Sequence, residues 1–127
     1  MLSSMQSVFV LEDDTDARTL LKLLFEGEGA VCQTFGAVAE LMDAYDRVEA
    51  FGLAVLDVNL GEGLPTGIDA YLWLREMGFA GRIAFLTGHA RSHPILAQEL
   101  RRTPVRVLEK PMGADEIARL LEEGAGP

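Results

Sequence analysis

The chain has 127 residues and a formal net charge of −9, from 20 acidic and 11 basic side chains. This length suits one compact domain with its own core, and a composition of 49% hydrophobic and 24% charged residues is typical of a globular protein. The negative charge disfavours direct binding to duplex DNA or to an anionic membrane, since both are polyanions.

Cysteine content and hydropathy narrow the class of protein further. The single cysteine, Cys32, excludes an internal disulfide and a cysteine-based zinc cluster, and it suits a reducing compartment. No apolar run is long enough for a membrane span, and the N-terminus lacks a signal-like segment. These features predict a cytoplasmic domain.

Strands and helices are predicted to alternate along the first half of the chain. The apolar run Val8–Leu11 predicts a buried strand, and apolar spacing of three and four residues predicts a helix from Ala17 to Phe25, with Asp14 or Thr15 available as its N-cap. Ala30–Phe35, which two polar residues interrupt, predicts a weaker strand. Helical spacing then returns over Val38–Val48.

The same alternation continues in the second half. Leu53–Leu56 and Ile83–Leu86 predict two further buried strands, and Val105–Leu108, which an arginine interrupts, predicts a second edge strand. Three more helices are predicted, at Ile68–Met77, Pro94–Arg102 and Gly113–Glu123.

This order of elements predicts an α/β fold of five strand–helix units. Its five-stranded parallel sheet would carry helices on both faces and right-handed crossovers. With the second and fifth strands at the edges, the strand order is 2-1-3-4-5, which is flavodoxin-like. We expect one domain over residues 1–127, with its core at about 7–123.

Acidic residues end two strands that this order makes neighbours. Ligands bind beyond the carboxyl ends of strands at the point where the order reverses, here between the first and third strands. The first strand ends in Glu12 and Asp13, and the third ends in Asp57. At about 5 Å and an effective dielectric constant near 20, each like-charged pair costs roughly 3 kcal/mol, which a fold tolerates if a cation occupies the site or a proton is taken up. Oxygen ligands favour Mg²⁺ over zinc, which prefers histidine or cysteine.

A hydroxyl and an ammonium group are predicted at the same edge. Thr87 ends the fourth strand, and Lys110, one of two lysines in the chain, follows the fifth. A metal, a nucleophilic carboxylate, a hydroxyl and an ammonium together describe a phosphoryl-accepting site. Asp57 would attack in line, Mg²⁺ and Lys110 would offset charge on the transferring oxygens, and Thr87 would bond one of them.

Four segments, VFVLEDD, LAVLDVNL, IAFLTGHA and VLEKP, resemble the site-forming segments of bacterial response-regulator receiver domains. They occur in the family's order and spacing, and the resemblance covers nearly the whole chain. It implies a CheY-like receiver of two-component or phosphorelay signalling, and from the length of the chain we expect a single domain without an output domain. Asp57 would accept phosphate from a phosphohistidine on a sensor histidine kinase or histidine phosphotransfer protein.

The resemblance also implies what kind of activity to expect. The chain would be no conventional enzyme, although it would catalyse its own phosphoryl transfer and autodephosphorylation. Phosphorylation would switch binding to a downstream protein target, in a monomer or a weak phosphorylation-dependent dimer. Mg²⁺ would be held by Glu12, Asp13 and Asp57, helped by the main-chain carbonyl of Asn59.

Further roles follow from the same resemblance. Thr87 would be the switch hydroxyl, and Lys110 would pair with the phosphate. Gly88 matches the small residue that leaves the phosphate accessible, and His89, like Asn59, matches a position that tunes dephosphorylation. The Lys110–Pro111 peptide bond would be cis.

Two features depart from the family pattern. Val107 stands where the family usually has an aromatic residue coupled to the hydroxyl switch, so rotation of an aromatic ring cannot be the output signal. The loop from Asn59 to Thr66 is about two residues longer than usual, and Gly61 stands where proline is common.

Three alternatives are weighed against the same residues. An FMN-binding flavodoxin is disfavoured because the acidic residues after the first strand would repel the flavin phosphate. An aspartate-nucleophile phosphohydrolase commonly has a second aspartate two positions after the nucleophile, and Asn59 stands there instead. A receiver-like interaction module that signals largely independently of phosphorylation stays open, because of Val107 and the long loop.

Overall fold

The structure, a computed structural model, describes residues 6–60, 63–88 and 105–125. Its strands are β1 (Ser7–Leu11), β2 (Val31–Phe35), β3 (Leu53–Asp57), β4 (Arg82–Thr87) and β5 (Arg106–Glu109). Its helices are α1 (Thr15–Gly27), α2 (Val38–Asp43), α3 (Tyr45–Val48), α4 (Gly67–Met77) and α5 (Ala114–Ala125). The helix predicted at Pro94–Arg102 lies outside the described residues. No helix in the described part of the chain is long and apolar enough to cross a membrane.

The five strands form one parallel sheet in the order β2-β1-β3-β4-β5, which confirms the predicted topology. The register aligns their carboxyl ends. Leu11 pairs with Phe35 on one side and Leu56 on the other, and Thr87 pairs with Glu109. The residues that follow β1, β3, β4 and β5 therefore meet at one edge of the sheet.

The sheet is covered on both faces, which explains its uninterrupted apolar strands. Alternate side chains of a strand point to opposite faces, so Phe9 and Leu11 belong to one core cluster while Val8 and Val10 belong to the other. The first cluster packs α2, α3 and α4 against the sheet, and the second packs α1 and α5. All of β3 is buried.

The helix predicted over Val38–Val48 is wrong in one respect, because it is interrupted. Ala44, at φ −105° and ψ 10°, ends α2, and its N–H donates to the carbonyl oxygens of Glu40 and Leu41. The apolar pattern does not reveal the interruption, because the apolar side chains of α2 and α3 face the same core cluster on either side of Ala44. Met42, part of the predicted pattern, is exposed.

Both helices beside the predicted site begin with a side-chain cap. Asp14 Oδ1 accepts from the N–H groups of Asp16 and Ala17, as predicted for the start of α1. Thr66 and Asp69 form a capping box at the start of α4. These caps fix where each helix leaves the loop that follows its strand.

Gly67 allows α4 to start against the end of β3. A Cβ atom at this position would collide with the carbonyl oxygen of Asp57 and lie 2.7 Å from its carbonyl carbon. Gly67 is buried, and its neighbour is backbone, which cannot move aside as a flexible side chain can. The absence of a side chain at Gly67 therefore sets the distance between α4 and Asp57.

We expect Gly67→Ala to lower the free energy of unfolding by roughly 1–3 kcal/mol, because the added methyl group overpacks the start of α4. Gly27→Ala is the matched control, since Gly27 is also helical and nothing lies within 4 Å of its added Cβ. It should be neutral or stabilise by up to about 1 kcal/mol. Urea unfolding of both variants measures the difference, and equal stabilities would contradict the close approach.

We expect the Cys32 thiol to be unreactive in the folded protein. Burial raises the pKa of this thiol to about 11, so at pH 8 almost none of it is the reactive thiolate. Because the chain has no other cysteine, the reaction with a disulfide reagent reports this site alone. Labelling should accelerate in urea in step with unfolding. Native labelling at the rate of a free thiol would contradict this.

Candidate functional site

The turn after β1 carries one buried and one exposed carboxylate. Glu12 is fully buried, and its N–H donates to the carbonyl of Phe35 at 3.0 Å, which continues the pairing of β1 with β2. Its Oε2 accepts from the N–H of Asp14 at 3.1 Å. Asp13, between them, is exposed. The turn thus fixes Glu12 through both its main chain and its side chain.

Arg18 holds this turn from α1, and the sequence reasoning did not find it. Its Nη1 donates to the carbonyl oxygens of Glu12 and Asp13, at 2.8 and 3.3 Å. A Cβ atom at Gly36 would lie 2.7 Å from the same nitrogen, so the small residue after β2 leaves room for the guanidinium. The available signal was position, because Arg18 lies one helical turn after the cap Asp14.

Asp57 ends β3 with no exposed surface. Its Oδ1 accepts from the N–H of Asn59 at 3.0 Å, and its Oδ2 accepts from Lys110 Nζ at 2.9 Å. The next residue, Val58, donates its N–H to the carbonyl of Leu86, which keeps β3 beside β4 past the carboxylate. Both oxygens of Asp57 are therefore held in place by hydrogen bonds.

Lys110 joins the other parts of the site. Its main-chain N–H donates to the carbonyl of the buried Thr87 at 3.0 Å, so the ends of β4 and β5 are tied together. Its ammonium lies 2.8 Å from Glu12 Oε1 and 2.9 Å from Asp57 Oδ2. Burial alone would lower the pKa of Lys110, but the two carboxylates outweigh it and raise the pKa. The peptide bond to Pro111 is cis.

The acidic residues carry more charge than one ammonium can balance. Glu12, Asp13 and Asp57 each place a carboxylate oxygen within 4.8 Å of the others. Three carboxylates against one ammonium leave two negative charges. Burial, and then the charge of Asp57, raise the pKa of Glu12, while burial and Glu12 raise the pKa of Asp13. The cluster favours uptake of a cation or of protons.

These residues fit a small hard cation such as Mg²⁺. All the clustered ligand atoms are carboxylate oxygens, which Mg²⁺ prefers. Glu12 Oε1 is buried, and although it lies 2.8 Å from Lys110 Nζ, it has no hydrogen bond of acceptable geometry within the described residues. A buried oxygen in this state can accept a further partner.

The other residues predicted for the site lie at its rim or nearby. Asn59 and Gly88 are exposed, each at the end of a strand that borders the cluster. Val107 is half-buried and packs on the core cluster of α2, α3 and α4. His89 lies outside the described residues, as does Gly61 in the long loop. On the near side of that loop, Leu60 is buried in the same core cluster.

Comparison with known proteins shows the family. The sequence profile described as "Response regulator receiver domain" matches residues 8–122. The chain is 32% identical over 113 residues to the C4-dicarboxylate transport transcriptional regulatory protein DctR of Rhodobacter capsulatus, covering 87% of this chain and 55% of that protein. It is also 32% identical over 110 residues to nodulation protein W of Bradyrhizobium diazoefficiens, covering 87% of this chain and 47% of that protein. The chain thus spans about half the length of these relatives.

Solved structures show the same fold. A response regulator receiver domain (CheY-like) from Methylobacillus flagellatus superposes with a TM-score of 0.80 at 20% identity, over 95% of this chain and 99% of that one. The signal receiver domain of a LuxO repressor protein from Vibrio parahaemolyticus gives 0.78 at 21% identity, over 95% and 90% of the two chains.

The family gives the site its general meaning. Receiver domains of two-component response regulators are in general signalling domains rather than enzymes, and they interact with histidine kinases and downstream effectors. They bind Mg²⁺ at an acidic cluster of the kind that Glu12, Asp13 and Asp57 form here. Because the family profile matches residues 8–122, nearly the whole chain, this chain belongs to the response regulator receiver domain family.

Proposed function

We propose that this receiver is a phosphorylation-dependent switch in which Asp57 accepts a phosphoryl group from a phosphohistidine. The donor would be a sensor histidine kinase or a histidine phosphotransfer protein, and the result a change in binding to a downstream protein. The observation that carries the proposal is the buried Asp57 carboxylate, paired with Lys110 and within 4.8 Å of ligand oxygens of Glu12 and Asp13. A cytoplasmic location belongs to the same proposal.

Four groups would hold the metal. They are the carboxylates of Glu12, Asp13 and Asp57 and the main-chain carbonyl of Asn59. When bound, Mg²⁺ would supply positive charge to the carboxylates and to the phosphoryl oxygens. Arg18 contributes indirectly, because its hydrogen bonds to the two carbonyls of the turn keep Glu12 and Asp13 oriented toward Asp57.

The transfer itself exchanges one bond to phosphorus for another. A carboxylate oxygen of Asp57 forms a bond to phosphorus as the P–N bond to the donor imidazole breaks. The hydrogen bond from Asn59 N–H to Oδ1 and the ion pair of Lys110 with Oδ2 orient the carboxylate before the transfer. The Lys110 ammonium, beside Oδ2, would then offset the negative charge that the phosphoryl oxygens bring to the site.

The signal would leave the site through the ends of β4 and β5. Thr87 would bond a phosphoryl oxygen through its hydroxyl, and its carbonyl already accepts from the N–H of Lys110. A shift of either residue therefore moves the other. Because Val107 packs as a small aliphatic side chain beside these strands, we propose that the partner recognises the displaced strand ends rather than an aromatic ring.

We expect the intact protein to gain one phosphoryl group when it is incubated with acetyl phosphate and Mg²⁺. The Asp57→Asn variant should gain none, because it lacks the nucleophilic carboxylate, whereas Asp46→Asn, a change in an exposed side chain of α3, should react as the wild type does. Intact mass spectrometry measures the adduct. Labelling of Asp57→Asn, or no labelling of the wild type, would refute the proposal.

A second measurement distinguishes the proposed switch from the alternative, an interaction module that is largely independent of phosphorylation. Beryllofluoride with Mg²⁺ mimics the acyl phosphate, so it should shift the amide resonances of β4 and β5 and alter binding to the partner. If the adduct forms while resonances beyond the site and partner affinity stay unchanged, the alternative is favoured.

We expect Asp13→Asn to abolish stabilisation by Mg²⁺. A ligand at 100 times its Kd stabilises the folded state by about 2.7 kcal/mol, and the wild type should show such a rise in the free energy of unfolding as Mg²⁺ is added. Asp14→Asn is the matched control, since Asn also caps a helix and Asp14 lies outside the cluster. An equal loss in both variants would contradict the ligand assignment.

Without metal, the Asp13→Asn variant should be more stable than the wild type at pH 7. Burial and the neighbouring Glu12 raise the pKa of Asp13, so the ionised carboxylate is less favourable in the folded than in the unfolded chain. The advantage of Asn should shrink as the pH falls through the raised pKa, because the wild-type carboxyl then takes up a proton. Urea unfolding in EDTA at several pH values tests this sign, and a growing advantage at low pH would contradict it.

A further inference from the structure

A cavity lies at the amino-terminal ends of the strands, on the opposite side of the sheet from the Asp57 cluster. It has a volume of about 300 Å³, and Leu53, Arg82 and Arg106, the first residues of β3, β4 and β5, line it. Because parallel strands run in one direction, their first residues lie at the far edge from the acidic cluster. A ligand here would therefore occupy a site separate from the proposed phosphorylation site.

Arginine dominates the charge of this cavity. Arg75 from α4 lines it together with Arg82 and Arg106, and among the described residues Glu123 of α5 is the one carboxylate in its lining. Three guanidinium groups against one carboxylate leave two positive charges, in a chain whose net charge is −9. A concentration of like charge against the overall sign of the protein favours an anion.

Two of the arginines share the single carboxylate. Arg106 Nη1 lies 2.7 Å from Glu123 Oε2, and Arg82 Nη1 lies 4.0 Å from Glu123 Oε1. Arg82 is held separately, since its Nη2 donates to the carbonyl of Leu120 at 3.0 Å. Glu123 thus balances one of the two positive charges of Arg82 and Arg106, and it keeps both arginine side chains in position.

Arg75 is oriented without a charged partner. Its Nε donates to the Tyr71 hydroxyl at 3.3 Å, and its guanidinium carbon lies 5.3 Å from the centre of the Tyr71 ring. Among the described residues, no carboxylate forms an ion pair with it. A guanidinium fixed at Nε presents its two terminal nitrogens as a fork, which matches the oxygens of a phosphate group.

Three apolar residues, Leu53, Ile83 and Leu120, also line the cavity, and of these Ile83 is half-exposed while the other two are buried. The volume of the cavity is at the lower end of the range for small-molecule sites, which combine an apolar wall with a few polar groups. We propose that this cavity binds a small molecule that carries a phosphate group on an apolar or planar body. The arginines bind the phosphate, and the body contacts the apolar part of the lining at Ile83.

The test is a titration of the isotopically labelled full chain with adenosine monophosphate, followed by amide resonances. It is done in EDTA, so that no metal draws the phosphate to Asp57. We expect saturable shifts at Gly81 and Ile83, which line the cavity, and none at Asn59. Adenosine, which lacks the phosphate, and inorganic phosphate, which lacks the planar body, should each bind at least ten-fold more weakly.

Variants separate a built site from general charge. Arg75→Gln should weaken binding of adenosine monophosphate about ten-fold, because it removes a charge-assisted hydrogen-bond donor from an exposed helix position. Arg47→Gln removes the same charge from α3 and should leave the affinity unchanged. If Arg75→Gln alters the fold, seen by circular dichroism, Arg106→Gln provides the second test.

Three outcomes of the titrations with adenosine monophosphate would overturn the proposal. They are the absence of saturable shifts, shifts confined to the Asp57 edge of the sheet, and an equal loss of affinity in Arg47→Gln. Binding of an acidic peptide at Gly81 and Ile83 without any response to adenosine monophosphate would overturn it in favour of a protein contact. Equal affinity for inorganic phosphate would overturn the contact of the ligand's body with the apolar part of the lining.

Discussion

One ammonium group between two buried carboxylates determines the chemistry of this domain. Lys110 Nζ lies within 3 Å of both Glu12 and Asp57, and neither carboxylate has exposed surface. A buried carboxylate without a cationic partner would lose its charge or destabilise the fold. Because Lys110 balances only part of the negative charge of the three carboxylates, the site still favours binding of a cation. In the proposed function, the same ammonium would pair with the phosphoryl group on Asp57.

The fold supplies the precision that this contact needs. Glu12, Asp57 and Lys110 come from three separate strand ends, and the parallel register brings these ends to one edge of the sheet. Main-chain hydrogen bonds past the strand ends, such as that from Lys110 to Thr87, extend the ladder into the site. Gly67 then lets α4 approach the backbone of Asp57. In the proposed function, this frame would transmit a change of charge at Asp57 to β4 and β5.

Much of this was predictable because it depends on patterns that recur along the chain. Uninterrupted apolar runs predict the three central strands, the acidic residues that end two of these runs predict the position of the acidic cluster, and interrupted runs predict the edge strands. What the sequence could not show depends on three-dimensional distances. Arg18 donates to main-chain carbonyl groups of the turn after β1, and a main-chain carbonyl is present in every residue, so the sequence gives no signal for this contact. Gly67 is important only because the Asp57 carbonyl lies against it. The interruption at Ala44 left the apolar spacing intact. The arginines of the cavity at the amino-terminal ends of the strands come from separate elements, so only their placement in the fold brings them together.

The charge balance at Lys110 is tested most directly by a mutant cycle measured in EDTA. Lys110→Met should lower the free energy of unfolding of the wild type by about 3 kcal/mol, since it leaves two buried carboxylates without a counter-charge. In a Glu12→Gln, Asp57→Asn background the same substitution should change stability little, because no buried charge is then left uncompensated. A large difference between the two backgrounds is the predicted result. An equal loss in both would mean that Lys110 stabilises the domain by packing alone, and it would contradict the role of its ammonium group.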